Sequence, residues 1–297
     1  KSMLEVVGIA SNYTLVQAGK NARKIETDLP SNQFNHVILQ VPMEDGKSPV
    51  WLECTSNSLP AGFLGDFTKN RYVLVTNEHG GYLTKTPAYN SLEWNAVHSN
   101  NEIKIDSQGN ATIATKIKVQ GNFAEDLHNI KNYFDTRQQR DFFNSNSTVS
   151  GLIIKEYELQ VGHEDSLLKA DVSYNGFIQK FVQNTAKRTI LKPFLGKITS
   201  EMLENNSLNQ LDEYLIELPE GLHLENANED FIIREKGVEI SLKTVLDGKI
   251  LLVSREIKII LDEEMTEDEK SEFLKRINAS SQKTYYFTKS ISENIYE

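Results

Sequence analysis

The 297-residue chain carries 42 acidic against 32 basic side chains, a formal net charge of −10. Nucleic acid and anionic membrane surfaces are bound chiefly through clustered Lys and Arg, so this balance argues against both as partners. At 39% hydrophobic the chain is long enough for two folded regions, its single cysteine excludes an internal disulfide, and no run of about 18 apolar residues offers a membrane-spanning segment.

The opening KSMLEVV reads as a helix and residues 8–16, GIASNYTLV, as a strand. Residues 35–41 are an apolar, β-branched run closed by Pro42, and residues 50–54 form a second run entered from Pro49, so both read as strands. Asp45-Gly46 between them makes an antiparallel hairpin the natural connection. Opposed residues in such a hairpin have position numbers of constant sum, which a two-residue Asp-Gly turn sets at 91. His36 and Glu53 sum to 89, so a loop of even length puts them on one face, opposed or diagonal and within reach of a hydrogen bond. A loop of odd length separates them, an option that Pro49 leaves open.

An imidazole beside a carboxylate is held in one tautomer and stabilised when protonated, which suits general acid–base work at a thiol nucleophile. Taken alone, such a pair is more often a surface hydrogen bond than half of a triad. Cys54 lies next to Glu53, so strand alternation sends it to the face away from His36. It also lacks the helix N-terminus that would lower a thiol pKa, and an inert buried thiol is the expected state. In GFLGDF and the residues after it, Phe63, Phe67 and Tyr72 suit a core better than the wall of a groove beside His36.

A boundary falls within residues 90–101, dividing the chain into regions 1–95 and 96–297. Residues 102–120 alternate Ile103, Ile105, Ile113, Thr115, Ile117 and Val119 around a Gln-Gly-Asn turn, a half-buried antiparallel hairpin. After Gly121, Asn122 is placed to cap a helix whose Phe123, Leu127, Ile130 and Phe134 form an apolar stripe. Strands are then expected over 152–161, 167–177, 188–195, in a β region opening at 212–221, and in a hairpin over 238–260 turning at Asp247-Gly248. A last helix opens with Thr266 and Glu269 as a capping box and carries Phe273, Leu274 and Ile277 on one face. The second region is therefore α+β and predominantly antiparallel.

The other histidines are scattered, and no dinucleotide fingerprint or P-loop occurs, so the sequence points to no metal and no cofactor. The acidic run over 262–272 lacks the alternating oxygen ligands and central Gly of a calcium loop and reads as a solvated helix start.

The succession of helix, GIASNYTLV, FNHVILQVP, VWLECTS and GFLGDFTKNRYVLVT resembles the second half of a bacterial transglutaminase-like core, of the papain-like cysteine protease superfamily. More narrowly it is similar to envelope proteins in which that core is flanked by β-rich domains of uncharacterised function, with SNQFNHV, WLECTS and GFLGDFT carrying the resemblance. It implies an α+β fold in which 1–95 is the C-terminal half of the core, with an antiparallel sheet, and 96–297 a β-rich domain with a few helices. His36 then matches the family histidine and Glu53 takes the place of its usual aspartate. The family's nucleophilic cysteine opens a helix that would fall shortly before Lys1, so the missing N-terminal part of the same protein is an expected partner and this chain alone is expected to be inactive. A protein or peptide substrate and a periplasmic or envelope location follow from the same resemblance. The competing expectation is a non-catalytic envelope binding or scaffold module with a degenerate transglutaminase fold.

Overall fold

The computed structural model describes residues 1–19, 22–29, 31–44, 46–145, 151–193, 198–200, 207–225, 230–235, 237–260, 266–280 and 283–289. Strands β1 (Asn12–Val16), β2 (His36–Val41), β3 (Val50–Leu52), β4 (Tyr72–Asn77) and β5 (Gly80–Lys85) form an antiparallel sheet in the order β3-β2-β1-β4-β5. Helix α1 (Ser2–Val6) precedes it and the single-turn helix α2 (Gly65–Thr68) lies between β3 and β4. The β2–β3 pairing joins Leu39 to Leu52, Gln40 to Trp51 and Val41 to Val50, a constant sum of 91. The connection is longer than two residues yet even in length, and of the expected Asp45-Gly46 turn Asp45 lies outside the described residues.

Alternation gives this sheet two apolar faces. Val16, Ile38, Trp51, Val73 and Val75 pack with Leu64 into one core. On the other face Tyr13, Val37 and Leu83 remain exposed.

The remaining strands are β6 (Ala96–Ile105), β7 (Ala111–Gln120), β8 (Leu152–Glu164), β9 (Leu167–Ile178), β10 (Gln183–Asn184), β11 (Arg188–Leu191), β12 (Ser207–Glu217), β13 (Leu222–Leu224), β14 (Phe231–Glu235), β15 (Val238–Asp247), β16 (Ile250–Ile260) and β17 (Tyr285–Lys289). Eight of them form a sheet in the order β14-β15-β16-β12-β6-β7-β9-β8, antiparallel except at the β6–β12 pair, and four form the sheet β10-β11-β17-β13. The two pack face to face through Ile103, Ile113, Ile216 and Leu251 on one side and Leu191, Tyr285 and Phe287 on the other. Helix α3 (Glu125–Tyr133) lays Ile130 on Leu159 and Val172, and α4 (Thr136–Ser145) follows it. Helix α5 (Glu267–Ser280) lays Phe273 and Ile277 on Ile240, Ile257 and Ile259. The chain is thus β-rich, mostly antiparallel, with few helices.

The expected hairpin over 102–120 exists, with Ile103 opposite Ile113, and its turn is held by the Asp106 carboxylate, which accepts the N–H groups of Gln108 and Asn110 at 2.9 and 2.8 Å. The capping box is also present: Thr266 N–H donates to Glu269 Oε2 at 2.8 Å and Glu269 N–H to Thr266 Oγ1 at 3.3 Å. Three expectations change. Asn122 does not cap α3, because the chain makes a 3₁₀ turn over Gly121–Ala124 first, which puts Ala124 at the helix N-cap and leaves the buried Asn122 Oδ1 accepting no hydrogen bond from a described residue. Phe134 leaves the stripe because the backbone turns extended there, with φ −99° and ψ 138°, and its ring is 41% exposed. The strand over 188–195 stops at Leu191, and residues 194–197 lie outside the described ones.

Several contacts join the five-stranded sheet and its loops to the rest. Phe63, 1% exposed, packs with Val119, Ala124, Leu168 and Ala170 beneath the eight-stranded sheet. Asn95 donates its side-chain amide to Tyr89 O at 2.8 Å and to Ser207 Oγ at 2.7 Å, while its backbone carbonyl accepts Asn209 N–H at 2.9 Å.

Candidate functional site

His36 opens β2 opposite Val16, which directs its ring to the face that carries Ile38 and the core. Glu53 follows β3, where continuation of the pairing makes it diagonal to His36. Its carboxylate oxygens lie 3.1 and 3.0 Å from His36 Nε2. Oε1 also accepts the Thr55 N–H at 3.1 Å and the Thr55 hydroxyl at 2.7 Å. The Glu53 side chain is 5% exposed and that of His36 17%. The Phe67 ring meets the imidazole edge-on, with centroids 5.1 Å apart and planes at 73°.

This arrangement selects a tautomer. A carboxylate only accepts, so Nε2 carries the proton and Nδ1 holds the lone pair of the neutral ring. No hydrogen bond to a described residue engages Nδ1. The pair can therefore take a proton at Nδ1 while Glu53 stabilises the cation that results.

Cys54 departs from expectation. It is exposed rather than buried, and its thiol donates to Leu52 O at 3.6 Å and makes no hydrogen bond to His36. The physical reason is that β3 ends at Leu52, so residue 54 stands in the loop beyond the sheet, where the burial usual for a free thiol is not imposed. The aromatic trio divides: Phe63 is core, Phe67 lies on His36 and is 44% exposed, and Tyr72 is 45% exposed on the outer sheet face.

A second charged group adjoins the first through α2. Asp66 N–H donates to Glu125 Oε2 at 3.3 Å, and Lys69 pairs with Asp66. Gly65 holds φ +57°, which favours glycine, and a Cβ there would fall 2.6 Å from Glu125 Oε1, so any side chain at this position would displace that carboxylate. Burial pushes the Glu125 carboxyl up to about 7, with the Asp66 and Asp126 charges adding and the Asp66 N–H and Lys69 opposing. Burial likewise lowers Lys69 against the pull of Asp66.

Thr55 and Glu125 were not among the candidate residues. Thr55 had a local signal, a hydroxyl two residues after the acid. Glu125 had none, since its contact lies 59 residues away. The other histidines are dispersed: His98 meets Glu213 at 2.8 Å, and His128, 3% exposed, donates to Gly162 O and Lys169 O. Among the described residues no three His, Cys, Asp or Glu side chains are grouped to hold a metal, and no helix is long and apolar enough to cross a membrane.

No protein-family model matches the chain, and no curated protein matches it. Among solved structures it is similar to a protein described as a putative protease from Parabacteroides distasonis ATCC 8503, with a TM-score of 0.41 and 10% sequence identity. That likeness covers 96% of this chain and 41% of the other, so the chain spans less than half the length of that protein.

Proposed function

We propose that His36 and Glu53 are the proton-moving pair of a thiol-dependent acyl-transfer site, belonging to a larger transglutaminase-like protein of the cell envelope that acts on amide groups of a protein or peptide. The observation that supports this reading is the doubly contacted Nε2 of His36, which leaves Nδ1 as the base. In the reaction Nδ1 removes the thiol proton, and the thiolate attacks the amide carbonyl carbon. The imidazolium, held by Glu53, then returns that proton to the departing amine, leaving a thioester. Water or an amine attacks the thioester, giving its proton to Nδ1 and regenerating the thiol. Thr55 fixes Glu53, and Phe67 limits rotation of the ring. Region 1–95 supplies this half of the site and region 96–297 recognises substrate.

The nucleophile is not Cys54, whose thiol points to Leu52 O. The resemblance puts it on polypeptide ahead of Lys1. The test is to read the codons preceding Lys1, express the chain with the segment they encode, and assay amide hydrolysis and amine incorporation. We expect a cysteine at a helix start and turnover that His36→Ala abolishes and Glu53→Ala reduces, by about 10²- to 10⁴-fold for loss of the general base. Turnover indifferent to His36, or the absence of any upstream cysteine, overturns the enzyme reading. In that case the second reading takes its place, a non-catalytic binding or scaffold module in which the His36–Glu53 pair only braces the chain at β2 and the end of β3.

A further inference from the structure

We infer that Glu125 is a positioning residue for the His36–Glu53 pair, acting through the strap Gly62–Thr68 to set the contact between Phe67 and the imidazole; the inference rests on reading that pair as the site. Each residue of the strap has a separate attachment. Tyr89 hydroxyl donates to Gly62 O at 2.5 Å, Phe63 enters the core beneath the eight-stranded sheet, and Leu64 enters the core of the five-stranded sheet. Gly65 and Asp66 meet the Glu125 carboxylate. Phe67 O accepts Gly19 N–H at 2.9 Å, and Thr68 Oγ1 donates to Leu64 O at 2.9 Å while its carbonyl accepts Thr86 Oγ1 at 2.8 Å.

One peptide unit therefore separates the group that touches Glu125 from the ring that touches His36. Phe67 and Thr68 are held by the five-stranded sheet and its loops, whereas Gly65 and Asp66 are held by α3 on the other body of the molecule. The Asp66 N–H bond is charge-assisted when Glu125 is ionised and weaker when it is neutral. The charges facing Glu125 are Asp66 and Lys69 from the strap end and Asp126 from α3 itself. With two acids against one base, loss or gain of the Glu125 proton changes the pull on Asp66. That change is passed to Phe67.

The test uses the whole 297-residue chain with labelled histidine, the His36 ring signals being assigned by their loss in His36→Gln. Glu125→Gln keeps shape and removes the charge. We expect the His36 ring signals of wild type and Glu125→Gln to coincide near about pH 5.5, where Glu125 is largely neutral, and to separate near about pH 8.5, where it is ionised. In a Phe67→Leu background Glu125→Gln should no longer shift them. Coincident His36 signals at both pH values overturn the inference, as does a separation that persists in the Phe67→Leu background. If Glu125→Gln does not fold, Gly65→Ala displaces the carboxylate instead and must move the His36 signals, an unmoved signal having the same adverse force. None of these readouts requires turnover, so absence of activity in the larger protein would count against the proposed function and leave this result standing on its own.

Discussion

Both carboxylate oxygens of Glu53 lie within 3.1 Å of a single nitrogen of His36, and one of them also accepts two donors from Thr55. A side chain 5% exposed with three donors aimed at it is an acceptor the local structure depends on. Glu53→Ala should leave those donors unpaired and cost about 1–3 kcal/mol in chemical unfolding. The same change should release the imidazole into a mixture of tautomers, read from its ring nitrogen shifts. An imidazole that stays in the Nε2–H form without Glu53 would show that something else orients it.

A buried charge pair crosses the inner face of the eight-stranded sheet. Arg255 Nη2 lies 2.7 Å from Asp212 Oδ2, with side chains 3% and 6% exposed, and Ser99 Oγ and Gln210 Nε2 each donate to Asp212 at 2.8 Å. Truncating one partner strands the other charge, so Arg255→Met should destabilise by about 3–5 kcal/mol. Adding Asp212→Asn removes the stranded charge while keeping acceptor and shape, and should recover part of the loss. If the double variant is no more stable than Arg255→Met, the penalty comes from lost packing rather than from the charge.

The strap of Gly62–Thr68 also gives a pH dependence. Glu125 is raised in the folded protein, to about 7 from an ordinary value of 4.5. The folded state therefore binds the proton more tightly than the unfolded chain. Its stabilising contribution is full below about pH 4.5 and is lost as pH rises through about 7. Glu125→Gln stays neutral, so its stability relative to wild type should improve from about pH 4.5 to about pH 8, by an amount on the order of 3 kcal/mol at most. Paired urea titrations across that range decide it. A constant difference between the two proteins would mean that Glu125 is not shifted.

How far this was legible in the sequence depends on the reach of each contact. The β2–β3 pairing could be read because side-chain period and opposed numbering are local properties, and Glu53 kept its diagonal place although it stands just beyond β3. The Thr266–Glu269 cap could be read for the same reason, its atoms lying within one turn. Cys54 is exposed where a free thiol is usually buried, because it stands in the loop beyond the end of β3, a position that residue type alone does not announce. Glu125 against Gly65 and the parallel pairing of β6 with β12 are tertiary contacts between segments with no shared periodicity, so nothing in either segment announces the other. A catalytic role for His36 and Glu53 is a further step, because the geometry shows an imidazole and a carboxylate in contact and no more.

The stripe on α3 separates what periodicity predicts from what the helix end permits. Ile130 is 4% exposed against Leu159 and Val172, whereas Phe134 falls on the extended residue that closes the helix and is 41% exposed. Ile130→Ala removes buried methyl groups and opens a cavity at the sheet, and should cost about 2–5 kcal/mol. Phe134→Ala removes a ring 41% exposed and should cost well under half of that, about 1 kcal/mol or less, nearer to the roughly 0.5 kcal/mol typical of substitutions away from the core. Leu127, partly buried against the same sheet, should fall between them. Equilibrium unfolding of the three alanine variants in the full chain gives the order directly. A Phe134→Ala loss as large as that of Ile130→Ala would show that the ring packs on the sheet and that the extended turn at residue 134 is not its resting conformation.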